Sequence, residues 1–397
     1  MKNNLADLNN HLFSMLETLE DDEMTDKRLE KELKKATRLL DSGHSLLLSA
    51  PRRIGKSSFA KRLIDIKRNK GWNCVYIDLE ETTSEDGFLR LIIESFENGK
   101  IWKQVTGSIS KGIGAVLDRI EKVSVGPIDI NINKKDEQEN LYKDLKELIC
   151  HDQDTLIVVD ELTLFLGLLN KNENGTDKVS FILNWLRSLR QVSHTKVRWL
   201  FCGSVGLRNF TSALNLGYTV NDLTEFGLDE LNREEASGLL SGLCDSEGIE
   251  MSIEDIQYTL DKLHWNIPYF IQIIFAKISE EYEGEVNRTI IDAAYDSLCS
   301  ENYLSTWSER LSEYGEYEKP ARMLLKQLSI LPSGMERTSL LNVMMTGENP
   351  SELESIDYNL SKVLEMLEND GYILKRGSIR TFRSPLLRDY WYQKFVQ

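Results

Sequence analysis

The sequence runs to 397 residues, room for about two to three domains and more than one core. Its 48 Lys and Arg against 64 Asp and Glu leave a net charge of −16, which disfavours a protein that coats nucleic acid through bulk charge unless its cations gather on one face. Hydrophobic residues at 41%, with 24 Gly and 7 Pro, exclude collagenous and disordered chains, so packed cores are expected and any anion site must be local.

Residues 26 to 41 set apolar or small positions between Lys and Glu, the pattern of an exposed helix, and Gly43 suits its C-terminal cap. Ser45-Leu-Leu-Leu-Ser49 is too short for a helix and is bounded by Gly43 and Pro51, as for a strand buried on both faces. After Ala50-Pro51-Arg52-Arg53-Ile54-Gly55-Lys56-Ser57-Ser58, the residues Phe59, Leu63 and Ile66 recur at helical spacing, giving strand, loop, helix. The strand pattern returns at Cys74–Leu79, Thr155–Asp160 and Val197–Cys202 with helix-length sequence between, the alternation that builds a parallel sheet. An insertion at about 84–153, with a candidate hairpin at 123–132, reads as a lid or an interaction surface.

From Leu231 to Ser300 the apolar spacing of Leu239, Leu243, Ile253, Ile256, Leu260 and Leu263 is helical, with a break at Asn266-Ile-Pro268. Residues 320–397 read as helices at 321–331, 338–345 and 355–369, then Gly371 and a hairpin, Tyr372–Arg376 and Ile379–Arg383, turning at Gly377-Ser378. Three helices and a hairpin predict a winged helix. The expected domains are therefore 1–229, an N-terminal helix and α/β core; 230–319, all helical; and 320–397, winged helix.

Cys74, Cys150, Cys202, Cys244 and Cys299 stand far apart, with no C-x-x-C pair and no nearby His partner at metal-ligand spacing, so no zinc site is expected. The N-terminus lacks a cationic segment leading into an apolar run, and the longest apolar stretches fall short of the ~18 residues of a membrane span. A soluble cytoplasmic protein with free thiols and no membrane partner is expected.

Ala50, Gly55, Lys56 and Ser57 occupy the four defined positions of the phosphate-loop pattern G-x-x-x-x-G-K-[ST], with Ala for the first Gly. In such a loop backbone N–H groups at a helix N-terminus wrap the phosphates, Lys56 sets a point charge near the β and γ groups, and the Ser57 hydroxyl ligates Mg²⁺. The strand Leu156-Ile-Val-Val-Asp160-Glu161 ends in two carboxylates, placing Asp160 to hold Mg²⁺ through water and Glu161 to polarise the attacking water. Weaker expectations fall on Ser204, where a small polar group could sense the γ-phosphate, and on Arg208 as a finger. Their ordinary alternatives are a cap and a surface salt bridge. Of Arg52 and Arg53, one is expected to face nucleotide and the other an acidic neighbour.

The loop Ala50–Ser58, the Asp160-Glu161-Leu162 ending, Phe181-Ile-Leu-Asn-Trp-Leu-Arg-Ser-Leu-Arg190, Asn266-Ile-Pro-Tyr-Phe270 and Phe382-Arg-Ser-Pro-Leu-Leu-Arg-Asp-Tyr-Trp391 resemble the archaeal-type ATPases of the STAND branch of the AAA+ superfamily. The resemblance spans nearly the whole chain. It implies an α/β fold with a P-loop AAA+ parallel-sheet core, a helical lid and a C-terminal winged helix, acting as an ATP-dependent switch in regulation or defence. Pro268 with Asn266 matches the family's lid motif, which lies near the nucleotide.

Phe181, Trp185 and Leu189 share a helical face and are expected to pack on the sheet. The five His residues are scattered and suggest no nucleophilic triad. The acidic run Glu20–Glu23 reads as a solvated segment. Residues 320–397 hold ten Lys or Arg and nine Asp or Glu, a net +1, and the third helix sets Lys362 against Asp357, Glu365, Glu368 and Asp370, which repels groove phosphates. Lys375, Arg376, Arg380 and Arg383 on the hairpin suit backbone contact with DNA or docking on an acidic surface, and docking is favoured.

The expected function is thus an ATP and Mg²⁺ switch reset by slow hydrolysis, with ATP/ADP and a protein effector as partners and a homo-oligomer allowed. DNA is the disfavoured partner. The alternatives are a DNA-associated AAA+ ATPase of the origin-recognition or transposition-accessory type, and a nucleotide-binding scaffold without turnover.

Overall fold

The fold is taken from a computed structural model, which describes residues 23–98, 134–203, 206–282, 284–345 and 353–397. The hairpin expected at 123–132 and most of the acidic run from Glu20 lie outside the described residues. The chain divides into two compact units, one of residues 33–49 and 56–227, the other including residues 50–55 and 228–397.

The first unit is built on a parallel sheet: β1 (Leu46–Ser49), β2 (Asn73–Asp78), β3 (Thr155–Asp160), β4 (Val197–Gly203) and β5 (Thr224–Phe226). Among the described residues the order is β2-β3-β4-β1-β5, all neighbours parallel. β3 is buried at every position, as expected where both faces of a parallel sheet are covered. Its register aligns Asp78 with Asp160 and Tyr76 with Val158, so β2 and β3 end together. β5 has only three residues, too few to show a pattern in the sequence.

Both described flanks of the insertion, the helices Glu85–Asn98 and Lys134–Ile149, pack on the sheet through buried Phe88, Ile92, Phe96, Tyr142, Leu145 and Ile149. Phe88 stacks on Phe165 at 5.2 Å and meets the edge of Trp185 at 6.2 Å. The Trp185 indole N–H donates to the Tyr142 carbonyl at 3.0 Å, satisfying the polar atom of a buried ring. Trp185 and Leu189 are core residues as expected, but Phe181 on the same helix is 41% exposed and meets the buried Tyr142 edge-on. Its expected place in the core is thereby corrected: the helix Gly175–Arg190 turns this position outward.

The second unit is mainly helical. Asn232 and Glu235 form a reciprocal capping box at the helix Arg233–Glu247, Ser252 caps Ile253–Leu263, and Asn287 caps Arg288–Ser300. The break expected at Asn266-Ile-Pro268 is a helix start, with Pro268 at the first position of Pro268–Glu280, where a missing N–H costs nothing. The later elements are the helices Glu318–Ile330, Arg337–Met345 and Leu353–Asn369, with β6 (Met335–Glu336), β7 (Ile373–Arg376) and β8 (Ile379–Phe382) in an antiparallel sheet ordered β6-β8-β7. A further helix, Pro385–Phe395, follows the hairpin and buries Trp391 against Tyr372 and Phe382. No helix among the described residues is long and apolar enough to cross a membrane.

Candidate functional site

The chain leaves β1 at Ser49, passes through residues 50–55 and enters the helix Lys56–Asn69. Within the loop Arg53 (φ 65°) and Gly55 (φ 100°) take left-handed backbone, while Ala50 does not. The first position of the phosphate-loop pattern therefore needs no glycine here, whereas the second does. The first turn of the helix carries no acidic residue, so the partial positive charge of its N-terminus stays available to an anion. Lys56 is buried in that turn, Ser57 and Ser58 are exposed, and Ile54 anchors the loop in a core.

Asp160, the last residue of β3, is buried and receives three hydrogen bonds. Its Oδ2 accepts from the Ser57 hydroxyl at 2.8 Å and from the Tyr76 hydroxyl at 2.6 Å, and its Oδ1 accepts from the Glu161 backbone N–H at 3.0 Å. Ser57 thereby spends its one proton on Asp160 and keeps its lone pairs as acceptor capacity. Glu161 has left-handed backbone (φ 52°, ψ 32°) at the cap of the helix Leu162–Asn170, without using its side chain as a cap. Strained non-glycine backbone of this kind concentrates at functional sites. Burial, followed by the Asp160 charge, pushes the Tyr76 phenol above its ordinary pKa, so it remains a donor. Burial likewise keeps the Cys202 thiol of β4 neutral beside these groups.

The remaining expected residues lie elsewhere. Arg208 ion-pairs with Glu225 of β5 and donates to the Leu223 carbonyl at 3.2 Å. That engagement is the ordinary alternative named for it above. Ser204 lies outside the described residues. Arg53 sets its guanidinium 4.4 Å from the centre of the Tyr269 ring, next to Pro268, so it meets an aromatic face and not an acid; Arg52 is half-buried. The Tyr269 hydroxyl donates to the Tyr303 carbonyl at 3.0 Å. Pro51 lies beside Gly371, where an added Cβ would come within 3.0 Å of it.

Three of the four hairpin cations are engaged within their own unit. Arg380 pairs with Glu368 at 2.5 Å, Arg376 lies 3.3 Å from the His264 ring nitrogen, and Arg383 covers the Trp265 ring at 4.8 Å. Burial, offset in part by Glu230 and Asp229, lowers the Arg383 pKa. On the third helix Asp357 pairs with Arg337 at 2.6 Å, and just past its end Asp370 accepts from the Tyr314 hydroxyl at 2.7 Å.

Sequence reasoning missed Tyr76. The available signal was a tyrosine in an otherwise apolar strand, two residues before the aligned pair Asp78 and Asp160, which puts it diagonal to Asp160 on one sheet face.

Residues 38–210 match the family model of the AAA domain. No curated protein matches the chain significantly. Among solved structures, a Walker-type ATPase of Pyrococcus abyssi superposes with a TM-score of 0.60 at 13% identity, covering 91% of this chain and 95% of that one. The ORC2 protein of Aeropyrum pernix gives 0.48 at 11% identity, over 93% and 94% of the two chains. RuvB, the Holliday junction branch migration motor of Thermotoga maritima, gives 0.42 at 12% identity over 91% of each. At such identity the first likeness shows the fold alone: a P-loop AAA+ core on a parallel sheet, followed by a mostly helical region.

Proposed function

We propose that the chain is a Mg-ATP-dependent switch of the STAND type, cytoplasmic, whose nucleotide state is read by a protein partner. The hydrogen bond from Ser57 to Asp160 carries this reading, because it joins the phosphate loop's hydroxyl to the acid that ends β3. Their oxygens fit Mg²⁺, a hard cation that keeps several waters and needs few protein ligands. The described residues hold no cluster of three or more His, Cys, Asp or Glu that would favour a fully protein-bound metal. Ser57 and Asp160 would hold the ion, which when bound neutralises phosphate charge and orients the nucleotide for in-line attack.

The chain's own groups supply the rest. Lys56 and the loop and helix amides bind the phosphates, Ala50 to Ser58 wrap them, and Glu161 orients the attacking water as general base. Ser204 and Arg208 remain proposed γ-phosphate contacts, and for Arg208 this requires release from Glu225. Support for a switch comes from Arg53 on Tyr269 and Pro51 beside Gly371, which tie the loop to the helix beginning at Pro268 and to the turn before β7. ATP in place of ADP would act on both contacts.

The three helices and hairpin of residues 318–382 are read as a winged helix that docks on protein, with a homo-oligomer as one such assembly. DNA is not the chosen partner because most of its hairpin cations already have partners. Glu161→Gln should lower phosphate release about 10²- to 10⁴-fold while ATP binding persists. Equal release from both proteins would instead describe a nucleotide-binding scaffold. Proteolytic patterns should differ between the ADP and non-hydrolysable-ATP forms, and identical patterns would refute the switch.

A further inference from the structure

We infer that Tyr76 is a positioning residue for Mg²⁺ binding, fixing the Asp160 carboxylate, an inference that rests on the Mg-ATP reading of the site. A carboxylate offers about four lone-pair positions, and its terminal torsion is soft and roughly two-fold. Three of those positions on Asp160 are filled, by Ser57 at 2.8 Å, Tyr76 at 2.6 Å and the Glu161 N–H at 3.0 Å. One remains for a bound water or ion.

The three donors are not equivalent. Ser57 is exposed at a helix start and is itself a proposed metal ligand, and the Glu161 N–H belongs to the adjacent residue, so it moves with Asp160. Tyr76 alone comes from a neighbouring strand held in register with β3 through Asn73 to Asp78. Its ring spans from that strand to Oδ2 and fixes the carboxylate's rotation about its own bond. The bond is short and charge-assisted, the strong kind. Partners that orient metal-binding carboxylates in this way usually contribute 10- to 100-fold to metal affinity.

The test is ATP binding to the full chain by calorimetry, in EDTA and across a Mg²⁺ titration, for wild type, Tyr76→Phe and Tyr76→Met. The Phe variant should bind ATP in EDTA within about twofold of wild type but need about 10-fold more Mg²⁺ to reach the tight-binding state. Replacing Tyr76 by 4-aminophenylalanine, which restores a donor at the ring tip, should return the Mg²⁺ midpoint towards wild type. The Met variant repeats the measurement should the Phe variant unfold. An unchanged Mg²⁺ midpoint in the folded variants would overturn the inference, as would an equal loss of ATP binding in EDTA, which marks a merely structural ring. Wild-type protein whose ATP binding ignores Mg²⁺ would overturn the metal site itself, and the positioning role with it.

Discussion

Replacing Gly371 by alanine should be markedly more damaging than the same change at Gly377. Both glycines have left-handed backbone, φ 84° and 64°, so each alanine pays about 1–2 kcal/mol for that conformation. The surroundings differ. A Cβ on Gly377 would meet nothing within 4 Å, whereas one on Gly371 would lie 2.6 Å from Trp265 Cη2 and 3.0 Å from Pro51 Cβ. Trp265 is 1% exposed and enclosed by Phe270 at 5.6 Å, Trp307 at 5.9 Å and the Arg383 guanidinium at 4.8 Å. It cannot withdraw without disturbing that cluster, and overpacking of this kind costs about 1–3 kcal/mol.

Gly371→Ala should therefore lose about 2–5 kcal/mol and Gly377→Ala about 1–2 kcal/mol. The restriction of the unfolded chain by a Cβ is common to both and cancels in the difference. Urea unfolding followed by far-ultraviolet circular dichroism measures each loss. Because Pro51 belongs to the phosphate loop, ATP affinity should also fall in Gly371→Ala and hold in Gly377→Ala. Equal urea midpoints for the two variants would refute the packing described around Gly371.

Arg190 is 4% exposed at its side chain and is held by Asp222 at 2.7 and 2.9 Å and by the Thr219 carbonyl at 2.6 Å. Asp222→Asn strands a buried cation and should cost about 3 kcal/mol in urea unfolding; a loss within experimental error would contradict that. Burial alone would raise the Asp222 carboxyl, and the hydrogen bond and charge of Arg190 outweigh it, holding the folded pKa below the ordinary carboxylate value. Since the folded value lies below the unfolded one, this stabilisation is present at neutral pH. It is lost as pH falls through the ordinary carboxylate value towards the folded one. Urea midpoints measured down the acid limb should therefore fall less steeply for Asp222→Asn than for wild type, and parallel slopes would contradict the assignment.

The phosphate loop and the Asp160-Glu161 ending were legible in the sequence because both are local: fixed spacings, each following an apolar strand. β1, β3 and β4 were legible for the same reason. What remained hidden depends on residues brought together from afar. Tyr76 and Asp160 are 84 positions apart, and only the register of β2 on β3 makes them partners. Arg208 is engaged by β5, a strand of three residues that carries no pattern of its own. The hairpin charges could be counted, but their partners Glu368, His264 and Trp265 could not be read from a count. The spacing of Arg52 and Arg53 does not say which of the two faces an acid, and Arg53 meets a tyrosine ring, the other common surface for a guanidinium.

Thermal unfolding with and without Mg-ATP, on wild type and Lys56→Ala, tests the phosphate-loop assignment most directly. Lys56 is buried at the helix start that follows the loop, so its loss removes the charge the phosphate-loop pattern sets there. ATP at about 100 times its Kd should stabilise wild type by about 2.7 kcal/mol. Lys56→Ala should show no ATP-dependent rise in melting temperature. An equal rise in the variant would contradict the assignment of nucleotide binding to this loop.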